Sequence, residues 1–248
     1  MANQSLAVVE AALRARKLDR TLTSALPGRP SAETAAATGL ARLDEVLRGG
    51  LPRGQLSEVV GARSSGCTAL LLQTLAAATR RGEVAALVDT CDRLEVASAV
   101  SANVDLDRFF WIRGHDVVLR APGLGPRTVP DRAVERALKA LNLVLQAGGF
   151  GVVAIDLADV PASALRAIPF TTWLRVQRTI EGSETACVIA GPQPLGRSAG
   201  GLTLMLDARP RYSGLAPGAW LSGFDLAVRV VSPRRHMDDE IRLDAAVR

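Results

Sequence analysis

Residues 61–68 read G-A-R-S-S-G-C-T, which is the frame of a phosphate-binding loop, G-x-x-x-x-G-K-[ST], with one substitution. In such a loop the glycines let the backbone curl so that consecutive N–H groups point inward. The lysine reaches the outer phosphates and the Ser/Thr holds magnesium. Gly61, Ser64, Ser65, Gly66 and Thr68 are in place, but the lysine position carries Cys67. A thiol is short and, with a pKa near 8.5, mostly neutral at pH 7, so it supplies no cation. Loss of one partner of a buried charge pair costs roughly 2–5 kcal/mol, or about 30-fold to several thousandfold in affinity. Arg63, inside the loop, either substitutes in part or is a solvated surface arginine. Asp89 and Asp92 follow a second apolar run, and either could act as the base for an attacking water. Asp156 ends a third run, where an aspartate either positions magnesium through water or caps a turn. The magnesium side of a nucleotide site is thus written into the sequence while the phosphate clamp is missing.

The remaining reactive residues form no second constellation. Cys67, Cys91 and Cys187 are odd in number and contain no C-x-x-C, which argues for free thiols and against a disulfide framework or zinc site. His115 and His236 are far apart in the chain and suggest no ligand or acid–base pair. The net charge of +5 and pI near 9.8 permit contact with nucleic acid or an acidic partner without requiring it. Arg166, Arg175 and Arg178 fall on one expected helix, and Arg197, Arg209 and Arg211 follow. These are either a phosphate-contacting surface with salt-dependent affinity or a solvated face. Aromatic residues make up only 4% of the chain, so base stacking is not an evident mode, and Trp173 and Trp220 read as packing residues. No run of 18 apolar residues occurs, and residues 1–20 lack a basic leader and cleavage site, so a cytoplasmic protein without a membrane anchor is expected.

The elements that must position this loop alternate in type. Residues 55–60 (QLSEVV) predict a strand, and the helix that follows the loop runs to residue 80, with Leu70, Leu71, Leu75 and Ala78 on its apolar side. Further strands are expected at 84–89, 109–112, 151–156 and 185–190, with a hairpin from 202–208 and 219–231. Helices are expected at 93–103, from Asp131 as N-cap to 146, and from Pro161 through Trp173 towards Ile180. Unbroken apolar strands alternating with helices predict an α/β fold with a mostly parallel central sheet covered on both faces. Residues 5–18 carry apolar Leu6, Val9, Ala12 and Leu13 at helical spacing, and a Pro/Gly/Ser/Thr-rich linker follows. The expected organisation is an N-terminal helix and arm over 1–38, a core domain over 39–232, a flexible loop at 191–201, and a charged tail over 233–248.

The stretch from Leu43 to Asp89 resembles the RecA recombinase core. That pattern, L-D-x-x-L-G-G-G-L-P-x-G-x-x-x-E-x-x-G followed by S-S-G-K-T, is matched by Leu43-Asp44, Gly49-Gly50-Leu51-Pro52, Gly54, Glu58, Gly61 and Ser64-Ser65-Gly66. The resemblance implies a RecA-like core fold. It places the RecA loop lysine on Cys67 and the RecA catalytic glutamate on Cys91, and it sets residues 191–201 where RecA has a DNA-contacting loop. A RecA-like core of this size with a degenerate loop is similar to the ImuA family, which is related to RecA and to the division inhibitor SulA.

Membership of that family implies a non-catalytic accessory factor of damage-induced, SOS-type mutagenic translesion synthesis. Implied partners are RecA, an ImuB-type polymerase-like protein, an error-prone replicative-type polymerase and DNA itself. No cofactor is expected, ATP binding being weak or absent, and the location would be cytoplasmic, at the nucleoid when DNA is damaged. Leu6, Val9 and Leu13 are candidate partner-docking residues, and Arg175, Arg178 and Arg197 are candidate DNA or partner contacts. Two other classes stay open: a weak ATP-dependent DNA-binding RecA paralogue using Asp89 or Asp92 with Arg63, and a SulA-like division inhibitor.

Overall fold

The computed structural model describes residues 34–114, 129–196, 201–214, 220–232 and 240–246. Their framework is an eight-stranded sheet built from β3 (Leu56–Gly61), β4 (Val84–Asp89), β5 (Phe109–Arg113), β6 (Phe150–Asp156), β7 (Ala186–Gly191), β8 (Thr203–Ser213), β9 (Trp220–Ser232) and β10 (Glu240–Ala246), in the order β10-β9-β8-β3-β7-β6-β4-β5. The pairings from β8 across to β5 are parallel, and β9 and β10 continue the sheet antiparallel. A small two-stranded ladder of β1 (Ala35–Ala36) and β2 (Leu51–Pro52) stands beside it.

Helices cover both faces, which is why the central strands are apolar throughout. Ala85 and Leu87 of β4, with Val152 and Ala154 of β6, face α2 (Cys67–Arg80) and α1 (Ala41–Val46). The alternate residues Ala86, Val88, Val153 and Ile155 face the second core. That core is formed with α4 (Val129–Ala147), α5 (Ala162–Arg166) and α6 (Phe170–Ile180). The expected α/β fold with a mostly parallel, doubly covered sheet is the observed one.

The family-like residues before the loop have local physical reasons. Asp44 accepts hydrogen bonds from the Thr38 and Gly39 amides and the Thr38 hydroxyl at 2.7, 3.1 and 2.7 Å, tying the incoming chain to α1. Gly50 has φ of +121°, and a Cβ there would stand 2.2 Å from the Ala36 carbonyl oxygen, so only glycine lets β1 and β2 meet.

Several expected boundaries shift. The helix expected at 93–103 is only α3 (Val96–Ser101), because the Arg93 and Leu94 amides are taken by the Asp89 side chain. Asp131 is not an N-cap: α4 begins at Val129, which puts this carboxylate in the first turn, beside the positive end of the helix dipole. The helix expected from Pro161 to Ile180 is two helices. Pro169 ends one and N-caps the next, since proline lacks an amide and disfavours helix in the residue before it. The charged tail is corrected over 240–246, where β10 pairs along β9 with Ile241 buried and Leu243 packed on the core. Its alternation of apolar and charged residues is the signature of a half-buried strand. The last residues of the expected arm also belong to the core domain, through β1 and Thr38.

Candidate phosphate-loop cleft

The loop is carried as its sequence requires, at the C-terminal end of β3 and the start of α2. Ser64 has φ of +62° and Gly66 of +90°, the left-handed positions that curl the chain, and the Ser65 amide closes a turn on the Ala62 carbonyl at 3.1 Å. Both motif glycines are sites of close approach. A Cβ on Gly61 would lie 2.2 Å from Ser65 Oγ, and one on Gly66 would lie 2.2 Å from Leu226 Cδ2. The loop therefore keeps its curl, with Thr68 exposed at its mouth.

What it lacks is a charge. Cys67 is the first residue of α2 and is buried, with Sγ 3.1 Å from Ser65 Oγ. A helix N-terminus favours a thiolate. Here burial outweighs that and raises the Cys67 pKa, Asp156 adding to the effect and the Ser65 hydrogen bond opposing it. Arg63 is drawn to the rim of the cleft. Its guanidinium pairs with Asp159 and its side chain is 82% exposed, so the cation rests on a carboxylate at the rim. Arg93 approaches the same carboxylate at 3.6 Å.

The acids behind the loop are hydrogen-bonded to their surroundings. Asp89 and Asp156 are cross-strand partners at the ends of β4 and β6. Asp89 is buried and accepts from the Arg93 and Leu94 amides at 2.9 and 2.8 Å and from Trp111 Nε1 at 3.2 Å. Asp92 is held bidentately by Arg113, both contacts at 2.8 Å. Both carboxylates are thus engaged by neighbouring donors. Asp156 accepts from the Ala158 amide at 2.9 Å, the turn-capping role. Burial, and to a lesser degree Asp89 and Asp159, push its carboxyl up to about 6.

Cys91 is buried nearby, its thiol pushed up to about 11 by burial first and then by Asp159, Asp156 and Asp89. With that shift the thiol is protonated at neutral pH. Among the described residues no cluster of three His, Cys, Asp or Glu side chains could hold a metal ion.

Opposite the loop the cleft has an apolar wall that the sequence reading missed. Ala208 of β8 and Phe224 and Leu226 of β9 face residues 61–69, Ala158 and Asp159 across a cavity of about 440 Å³. The i, i+2 spacing of Phe224 and Leu226 marks them as sharing one strand face, but which loop they face depends on the sheet order. Glu58, a residue of the RecA-like pattern, also anchors the following segment. Its buried carboxylate accepts from the Leu195 and Gly196 amides, both at 2.6 Å, and from the Thr203 hydroxyl at 3.3 Å. The stretch 192–196, expected to be flexible, is thus pinned to β3.

Other candidates are not brought to the cleft. Arg175 and Arg178 are exposed on α6. Between them Gln177 receives the Leu56 amide at the start of β3, the end remote from the loop. Leu6, Val9, Leu13 and Arg197 lie outside the described residues, as do His115 and His236.

Comparison with known proteins agrees with this geometry. A model of the RecA N-terminal domain matches residues 28–121. Protein RecA of Methylococcus capsulatus is 37% identical over 120 residues, covering 48% of this chain and 30% of that protein. Protein RecA of Synechococcus elongatus is 32% identical over 120 residues (48% and 29%), and that of Teredinibacter turnerae 32% over 123 residues (49% and 31%). The match thus spans under a third of the length of these relatives. The chain is RecA-like in its first half, and the α/β sheet is consistent with a RecA-like core. No helix among the described residues is long and apolar enough to cross a membrane.

Proposed function

We propose that this protein is a non-catalytic RecA-like accessory factor that works by protein contact, of the kind the ImuA resemblance implies for damage-induced mutagenic translesion synthesis. The observation that carries the reading is the pair of buried, neutral thiols at positions 67 and 91, inside a loop and sheet that otherwise keep RecA-like form. A cradle whose cation is gone and whose neighbouring acids cap turns offers scaffold without hydrolysis. RecA protomers stack by a heterologous contact that generates open filaments. A RecA-like protomer unable to support ATP-linked growth from its own pocket would join a filament end and stop it, handing the site to an ImuB-type protein and an error-prone polymerase. The arginines of α6 and the segment carrying Leu6, Val9 and Leu13 are candidate contact surfaces. The protein would act in the cytoplasm, at the nucleoid after damage.

The test measures RecA filament length on single-stranded DNA with and without this protein, alongside pull-down with RecA and a phosphate-release assay on the protein alone. Shortened filaments, capture of RecA and no phosphate release are expected. Unchanged filaments together with no capture would end the filament-capping mechanism. Phosphate release by the purified chain, abolished by changing Thr68, would replace it with an active ATPase.

A further inference from the structure

The loop cleft is poor in cations and rich in apolar surface. Among the described residues that line it, the charged ones are Arg63 and Asp159, paired with each other. Arg93 approaches the same carboxylate at 3.6 Å. Two guanidinium groups on one carboxylate leave a single net positive charge at the mouth. Asp156, near Cys67 behind the loop, adds a negative charge at neutral pH. A nucleoside triphosphate is a polyanion and is poorly matched by this balance, whereas one carboxylate is well matched. Donors for it are built in. The Cys67, Thr68 and Ala69 amides open α2 and, as first-turn amides, have no acceptor within the helix. Arg63, its side chain 82% exposed, has more donors than Asp159 alone can use. Opposite them stands the wall of Ala208, Phe224 and Leu226. Cross-strand partners in an antiparallel pair share a face. The pairs Ala208–Leu226, Pro210–Phe224 and Tyr212–Leu221 therefore carry this wall outward, along about 13 Å of strand from Ala208 to Tyr212. At its far end Tyr212 is 63% exposed and Leu221 38%. Trp220, also 63% exposed, neighbours Leu221 and so lies on the opposite face, with Arg209, Arg211 and Arg229.

We infer that the cleft is a docking site for an extended peptide segment of a partner protein, whose carboxylate is held by the loop amides and Arg63 while its apolar side chains lie along the hairpin wall. The carboxylate is that of an Asp or Glu side chain or of the peptide's C-terminus, which offer the same chemistry. The cavity of about 440 Å³ is large enough for the anchoring residues. The wall beyond it, which a small molecule in the cavity would leave uncovered, favours a longer chain. An exposed apolar strip of this kind marks a contact surface. The inference rests on the contact-based reading given above and names where a partner is held.

Selection of random dodecapeptides by phage display on the immobilised full chain tests this without prior choice of sequence. Two formats, internal peptides and peptides with free C-termini, distinguish the two sources of the carboxylate. Enriched internal peptides should combine an acidic residue with apolar neighbours, and enriched C-terminal ones should end in an apolar residue. A synthetic copy of the most enriched peptide should bind at least about tenfold more weakly to Arg63→Glu and to Tyr212→Ser. Both positions are exposed, so these variants should melt as the parent does. Trp220→Ser, on the other face, should bind as the parent does. No enrichment in either format, internal peptides without an acidic residue, or an equal loss in Trp220→Ser would overturn the inference. So would micromolar binding of ATP that the peptide displaces, since the cleft would then still be a nucleotide site. The selection uses this chain alone, so its outcome is separate from that of the RecA filament assay.

Discussion

Cys67 Sγ lies 3.1 Å from Ser65 Oγ, both side chains buried inside the loop they belong to. The side chain that would carry a cation outward in a working phosphate loop is here turned into the loop's own interior. Two losses therefore coincide, of charge and of reach, and they differ from the loss at Cys91. On the proposed reading, the change at position 67 weakens binding and that at position 91 removes a group hydrolysis would need.

Cys67→Lys should accordingly raise nucleotide affinity about 30-fold or more and leave hydrolysis at background. Calorimetric titration and phosphate release on the same preparation separate the two. Turnover from this single change would show that Cys91 does not mark the second defect.

The thiols should be inert in the native protein. With its pKa near 11, Cys91 has about one thiolate per thousand molecules at pH 8, some hundredfold fewer than a thiol at 9. Cys187, fully buried, is pushed up to about 12. Iodoacetamide labelling followed by mass spectrometry should find both at least about 100-fold slower in the folded chain than in denaturant. The same shift makes folding favour the protonated Cys91. That contribution is complete below pH 9 and lost as pH rises through 11, so stability should fall over this window.

Asp156 gives a pH signature of its own. Its folded-state value of about 6 lies above the ordinary 3.8, so the native protein holds this proton more tightly than the unfolded chain. The stabilisation is full below pH 3.8 and lost as pH rises through 6. At pH 7 the ionised carboxylate is a burden, and Asp156→Asn, which keeps an oxygen for the Ala158 amide, should stabilise by about 2 kcal/mol. Denaturant unfolding should show the gain at pH 7 and its disappearance near pH 3.5. A destabilised variant at pH 7 would contradict this account.

Glu58→Ala should be among the most damaging single changes outside the apolar core. It strands the Leu195 and Gly196 amides and leaves a hole between β3 and β8, a cost of about 3 kcal/mol. Urea unfolding measures it, and faster proteolysis within 192–201 should accompany it. A variant within about 0.5 kcal/mol of the parent would mean the pinned segment does not depend on this carboxylate.

Much of this was legible along the chain. Apolar runs with no alternation at 84–89 and 151–156 require burial on both faces, and so require a sheet between helix layers. The loop's curl follows from Gly61 and Gly66, and its missing cation from the letter at position 67. Tertiary structure decided what the surviving polar groups do. Nothing along the chain shows that Arg93, Leu94 and Trp111 donate to Asp89, or that Arg113 holds Asp92. Arg63 became a rim pair only through Asp159, 96 residues away. The apolar wall of Ala208, Phe224 and Leu226, and β10 within a charged stretch, depend on strand order, which local propensity does not encode. Sequence determines which residues can curl, charge or bury. Pairing between distant strands decides which carboxylates are already satisfied, and so which chemistry remains to them.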